Sequence, residues 1–259
     1  MAVKPDGSIE PRLAAYYYEF NTTRPPFNDP RVRRALNMAL DKDIIADKVM
    51  GQGQRPAWLI SQPEIGGVKL NPSEYASWPR EKRITEAKKL LEEAGFNAQH
   101  PLSFNLLYNT SETHQRIAIA ASSMWKKNLS VEAKLQNQEW KTLLDTMHIG
   151  NFDAVRYAWI ADYDDASTFL NTFRTGDSEN TAKYSNADYD RALQDAAQTQ
   201  DPAQRARDYQ KAEDLLARDV PAIPVYHYVR THLVKPWVGG FASDRLGYYY
   251  SKDMYIKQH

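Results

Sequence analysis

The chain contains no cysteine, so disulfides, thiol nucleophiles and cysteine-ligated zinc are excluded together. That is compatible with an oxidising compartment but does not establish one. No apolar run approaches the roughly 20 residues that a membrane-spanning helix needs. The opening stretch MAVKPDGSIEPRLAA places a Pro and a Gly where an export signal has its apolar core, so it does not read as a signal peptide. Charge of one sign is also missing. Lys+Arg and Asp+Glu both number 33, and a net charge of zero gives no global field for nucleic acid or an anionic membrane. Catalytic signatures are absent too: no G-x-S-x-G, no Walker A loop and no dinucleotide fingerprint occurs. The histidines, at 100, 114, 148, 227, 232 and 259, form neither H-E-x-x-H nor H-x-x-E-H. No metal, cofactor or catalytic residue is expected.

What is present is an ordinary globular composition with many aromatics. The 259 residues suffice for one large domain or two small ones. Sixteen tyrosines suit a binding surface, since Tyr offers rigid contact area with a polar tip, and they suit a tyrosine-rich core equally well.

Residues 14–20 (AAYYYEF) read as a strand, followed by turn residues at 21–26. Asp29 and Pro30 open a helix as cap and first residue, with Val32, Leu36, Ala39 and Leu40 as its apolar stripe. A short helix over 42–50 should end at Gly51. Residues 51–79 hold no period and read as a long irregular crossing. A helix from Pro79 should stop at Gly95. Then strand and helix alternate: strand 102–108, helix 111–129, strand 131–135, helix 140–148, strand 153–159. That order implies crossovers and an α/β sheet with a parallel part. Helices near 188–199 and 202–218 and a β-rich stretch at 222–233 follow. There is no internal repeat.

The densest acidic cluster is Asp162-Tyr163-Asp164-Asp165. It lacks the Gly and Glu of a calcium loop. Asp164 and Asp165 are expected to cap the helix starting near Ala166. Asp162 ends a strand just past Trp159. In an open α/β sheet ligands bind outside the carboxyl ends of strands. A carboxylate beside an aromatic wall there suits a ligand ammonium.

Several blocks, in order, resemble the periplasmic oligopeptide-binding proteins of ABC importers, the family 5 solute-binding proteins. They are YYYEFN, FNDPRVRRALNMALDKDII, LLYNTSETHQRIAIA, WKKNLSVEAKLQNQEWKTLLDT, and PVYHYV with LVKPWVGGF. The likeness runs from about Arg12 to the end, and the murein-tripeptide branch is close kin. It implies a periplasmic, non-enzymatic receptor about twice this length, closing like a clamshell over an extended peptide and delivering it to a membrane permease. This chain would be its C-terminal half: 1–13 a lead or linker, 14–229 the ligand-binding α/β lobe with a mixed sheet flanked by helices, 230–259 a segment of the other lobe. The missing N-terminal half would be a partner. A murein-peptide binder, an isolated interaction or chaperone-like module, and a hydrolase using the acidic cluster are the alternatives.

The resemblance also implies roles. Asp162 would pair with the peptide amine. Trp159 and Trp140 would wall side-chain pockets. Ala158, Trp159 and Ile160 would bond the peptide backbone. Arg156 and His114 would be basic groups meeting the peptide carboxylate. Tyr17, Glu19, Tyr226 and Tyr228 would lie near hinge and cleft. Trp140 as a core residue and Glu19 as a hinge ion-pair member remain open. Members carry a disulfide where this chain has Ala14 and Ile160. Met50 and Met147 replace a lysine and an arginine of the family, which should weaken any preference for acidic side chains or for one peptide length.

Overall fold

A computed structural model of the chain describes residues 7–258. The architecture is organised by one long strand, β1 (Gly7–Phe20). Its last eight residues are all buried, and their side chains alternate between two cores. Tyr16, Tyr18 and Phe20 enter one core, while Leu13, Ala15 and Tyr17 enter the other. The strand starts well before the expected residue 14. The expected lead or linker is therefore strand from Gly7 onward, and residues 1–6 of it lie outside the described residues.

After β1 comes α1 (Pro30–Ala39), where the Asp29 side chain accepts from Arg31 N–H and the expected apolar stripe is buried. Next, α2 (Lys42–Ile44) runs directly into a wide turn over Ile45–Met50 that ends at Gly51, whose φ of 63° only glycine adopts readily. The irregular crossing contains the short strands β2 (Arg55–Pro56), β3 (Glu64–Ile65) and β4 (Val68–Lys69) and one 3-10 turn at Glu74–Ser77. The alternating section matches its expected pattern closely: α3 (Arg80–Glu93), β5 (Ser103–Asn109), α4 (Glu112–Leu129), β6 (Glu132–Gln138), α5 (Trp140–His148) and β7 (Ala154–Ile160). Then come α6 (Ser167–Leu170), α7 (Ala187–Gln198), α8 (Pro202–Asp219) and β8 (Ala222–Leu233), with the two-residue strands β9 (Val238–Gly239) and β10 (Tyr255–Ile256) near the end.

Six strands form one mixed sheet in the order β2-β8-β1-β7-β5-β6. β5 runs parallel to β6 and β7, while β1 runs antiparallel to β7 and β8. α1, α3 and α4 supply the core on the Tyr16 side. α7 and α8, with α6 and the irregular crossing, supply the core on the Tyr17 side, and α5 packs Leu143 and Met147 on Leu107 and Val155. The connection leaving β5 thus covers one face and that leaving β6 the other. The carboxyl ends of β5 and β6 flank a topological switch point, where open α/β sheets hold their ligands, and β7 lies next to β5. The boundaries read from sequence at 13/14 and 229/230 fall inside β1 and β8; the two strands pair through 229/230, while 13/14 lies within a register shift between Pro11 and Ala15. No helix among the described residues is long and apolar enough to cross a membrane.

Trp125 locks α4 onto α1: it is fully buried, and its indole N–H donates to the Leu36 carbonyl at 2.9 Å. Trp125→Ala should lower stability by about 3–5 kcal/mol, read as a shifted urea midpoint with helical content retained below it. A shift no larger than that of an exposed substitution would contradict this packing.

Candidate functional site

The backbone of β7 has one occupied edge and one open edge. Ala161 N–H donates to the Leu13 carbonyl at 2.8 Å and Asn21 N–H to the Asp153 carbonyl at 3.1 Å. With Ala14 opposite Ile160, the alternation directs the amide groups of Tyr157, Trp159 and Ala161 toward β1. Those of Ala158 and Ile160 point the other way. On that side β5 pairs with β7 only through Leu106 and Leu107, opposite Ala154 and Val155. No strand among the described residues pairs there beyond Val155. Of the three residues expected to bond a ligand backbone, Ala158 and Ile160 have open amides, whereas those of Trp159 serve the sheet.

At the carboxyl end of this edge lies Asp162. Its backbone N–H donates to Thr168 Oγ1 at 3.0 Å, while its exposed carboxylate has no hydrogen-bond or ion-pair partner among the described residues. Its neighbours in the acidic cluster are engaged. Asp165 accepts from Ser167 N–H at 2.9 Å and from the Tyr209 hydroxyl at 2.6 Å; the N-cap position of α6 is Ala166, so Asp165 engages the first helical amide from one residue further out. Asp164 does not cap. It accepts from Gly66 N–H at 2.8 Å and pairs with Arg245 at 3.2 Å, because its side chain points away from the helix toward the irregular crossing.

At the other end Arg156 is 6% exposed, and no carboxylate pairs with it among the described residues. Its guanidinium donates to Asn109 Oδ1 at 3.0 Å and to the Tyr228 hydroxyl at 2.9 Å, and lies 4.6 Å from the Tyr16 ring centre. Tyr16 stacks on Tyr226 at 4.8 Å, and Tyr226 meets Tyr228 edge-on at 5.1 Å. This is a neutral aromatic cage around a permanent charge. His114 sits beside Tyr16 at 5.6 Å. Burial, with a smaller contribution from the Arg156 charge, pushes its pKa down to about 4. It is therefore neutral at pH 7 and available as a hydrogen-bonding group.

Trp159 reaches Thr168 Oγ1 at 3.4 Å and packs against the core on the Tyr17 side. Trp140 is not a core residue: 44% exposed, it stacks on Tyr157 at 6.1 Å. Tyr157 had gone unnoticed, although it stands two residues before Trp159 and so shares its face. Arg12 and Asn109 were missed as well. Tyr17 and Glu19 are buried on the face of β1 opposite Arg156, apart from the cage. Glu19 accepts from the Thr181 hydroxyl and has no ion-pair partner among the described residues. Ala14 and Ile160 face one another across β1 and β7. No group of metal-ligating residues occurs among the described residues.

A profile of the bacterial extracellular solute-binding proteins, family 5 (middle), matches residues 2–181. The chain belongs to that family. The match begins within the stretch set aside as a lead. The periplasmic oligopeptide-binding protein OppA of Escherichia coli is 50% identical over 252 residues, covering 97% of this chain and 46% of OppA. The probable deoxycholate-binding periplasmic protein YgiS of the same organism is 44% identical, covering 97% and 47%. The unliganded open form of the murein-tripeptide-binding protein MppA superposes with a TM-score of 0.90 at 42% identity, over 98% of this chain and 50% of that one. The chain thus spans about half the length of the curated relatives it matches.

Burial raises the Glu19 carboxyl to about 8 and the Glu213 carboxyl to about 7, and lowers His227, like His114, to about 4. Each carboxyl stays protonated in the fold above the pH at which the unfolded chain loses that proton, so it lowers stability as pH rises. Each histidine raises stability as pH climbs from about 4 to 6.5. The two effects oppose one another up to pH 6.5, and above it the carboxyls act alone. Stability should therefore fall above pH 6.5 with a slope of up to about 1.4 kcal/mol per pH unit from each carboxyl, Glu213 contributing up to about pH 7 and Glu19 up to about pH 8. Glu19→Gln should flatten the fall in urea titrations across that range. An unchanged slope would contradict the assignment.

Proposed function

We propose that the chain is the peptide-holding part of an extracytoplasmic receptor serving an ABC importer, and that it binds without catalysis. An extended peptide adds to the open edge of β7, exchanging backbone hydrogen bonds with Ala158 and Ile160. Backbone pairing gives affinity without choosing side chains. The Asp162 carboxylate pairs with the peptide amine, and Arg156 in its tyrosine cage meets a peptide carboxylate, with His114 as a neutral second donor. Trp140, Tyr157 and Trp159 wall the side-chain pockets. The observation that carries this reading is the open strand edge, with an unpartnered carboxylate at one end and an acid-free buried guanidinium toward the other.

Family membership alone does not choose the ligand, because one relative carries the name of a bile-acid binder. A peptide alone uses all three features: amine, carboxylate and a repeating backbone. The exposed aromatic surface of Trp237, Tyr248, Tyr249, Tyr250 and Tyr255 suits burial against the other half of such a receptor. Closure over the peptide would then present the liganded form to a membrane permease in the periplasm.

Calorimetry with tripeptides tests the amine anchor. A charge-assisted bond of this kind is worth about 1.5–3 kcal/mol, so N-acetylation or Asp162→Asn should each weaken binding about tenfold or more. The two losses should not add, since each removes the same interaction. Unchanged affinity after acetylation would contradict the reading.

A further inference from the structure

Beside the open edge of β7 lies a cavity of about 300 Å³. Its walls include Arg12, Trp140, Arg156, Tyr157, Ile160 and Tyr228, and no carboxylate lines it. Two guanidinium groups thus face one partly aromatic pocket. Each has its Nε buried without a hydrogen-bond partner, and neither arginine forms an ion pair among the described residues. The nearby carboxylate of Glu10 is occupied by Ser243 and His232.

The backbone explains how Arg12 comes to be there. Between Pro11 and Ala15 the register of β1 with β8 shifts, and such irregularities re-aim side chains. The Gln62 amide stands in for part of the lost ladder, donating to the carbonyls of Arg12 and Ala14 at 2.9 and 3.1 Å. Ala14 and Ala158 are both small and leave the space open. Met147, by contrast, is buried against Leu143, Phe152 and Val155 and does not line the cavity.

We propose that this cavity is a pocket for an acidic side chain of the ligand and that Arg12 is its selectivity residue. The proposal rests on the peptide reading above and deepens it. A carboxylate entering the pocket meets two guanidinium groups that have no protein counter-ion, with the Trp140 and Tyr157 rings covering the methylene stem. The charge missing at Met50 and Met147 is thus supplied from the β1 side, and the weak acid preference expected from those two positions is reversed.

The test compares Glu-Ala-Ala and Ala-Glu-Ala with their glutamine counterparts by calorimetry on the full chain. Glutarate is added separately while the arginine Nε signals are followed by NMR. At least one glutamate peptide should bind about tenfold more tightly than its glutamine counterpart, the worth of one charge-assisted contact. Arg12→Gln should erase that difference while leaving glutamine-peptide affinity unchanged, and Arg12→Lys should keep part of it. No preference in the parent chain, or a preference that survives Arg12→Gln, overturns the proposal and leaves the peptide reading intact. If no tripeptide binds, the peptide reading fails for this chain, and glutarate decides the pocket: shifted Arg12 and Arg156 Nε signals support it, unshifted ones overturn it.

Discussion

Antiparallel pairing of β1 with two neighbours at once is the constraint on which the rest of the structure depends. Its register with β7 sets Ala14 opposite Ile160 and Tyr16 opposite Ala158. Because side chains and amide groups both alternate along a strand, that one register decides two things together. It sends Tyr16 and Tyr18 into one core and Tyr17 and Glu19 into the other. It also commits the amides of Tyr157 and Trp159 to the sheet and leaves those of Ala158 and Ile160 facing outward. A slip of one residue would exchange both sets and destroy core and open edge alike.

Arg156 shows how the fold keeps a charge available inside itself. A buried guanidinium paired with a protein carboxylate would be neutralised and of little use to a ligand. An unpaired one in an apolar wall would be costly to hold. Here an amide oxygen, a phenol oxygen and the face of a tyrosine ring solvate the charge without cancelling it. Burial beside this cage and, to a smaller extent, the Arg156 charge keep His114 neutral. Residues on four different elements, β1, β5, β7 and β8, build this environment, which is why it forms only once the sheet is complete.

That dependence also sets what could be read from sequence. Helical and strand periods are local, so α5 was expected at its observed bounds and α1 with its cap and stripe. The start of β1 was not, because Gly7–Leu13 has no strand pattern of its own and is extended only through its pairing with β8. Asp162 and Trp159 stood out through a family likeness and through their place at a strand end. Arg12 carried no such signal, since a side chain re-aimed by a register shift has no sequence signature. Asp164 was misread for the opposite reason: next to Asp165 and a helix start it looked like a cap, yet its partners lie far away in sequence at Gly66 and Arg245.

The open edge of β7 is the centre of this account, and amide hydrogen exchange resolves it residue by residue. In the free chain the Ala158 and Ile160 amides should exchange quickly, while those of Tyr157, Trp159 and Ala161 exchange slowly. Adding a tripeptide with a free amine should slow Ala158 and Ile160 and leave the other three unchanged. Equal protection of all five before ligand is added, or ligand-induced protection at Trp159 in place of Ala158 and Ile160, would contradict the account.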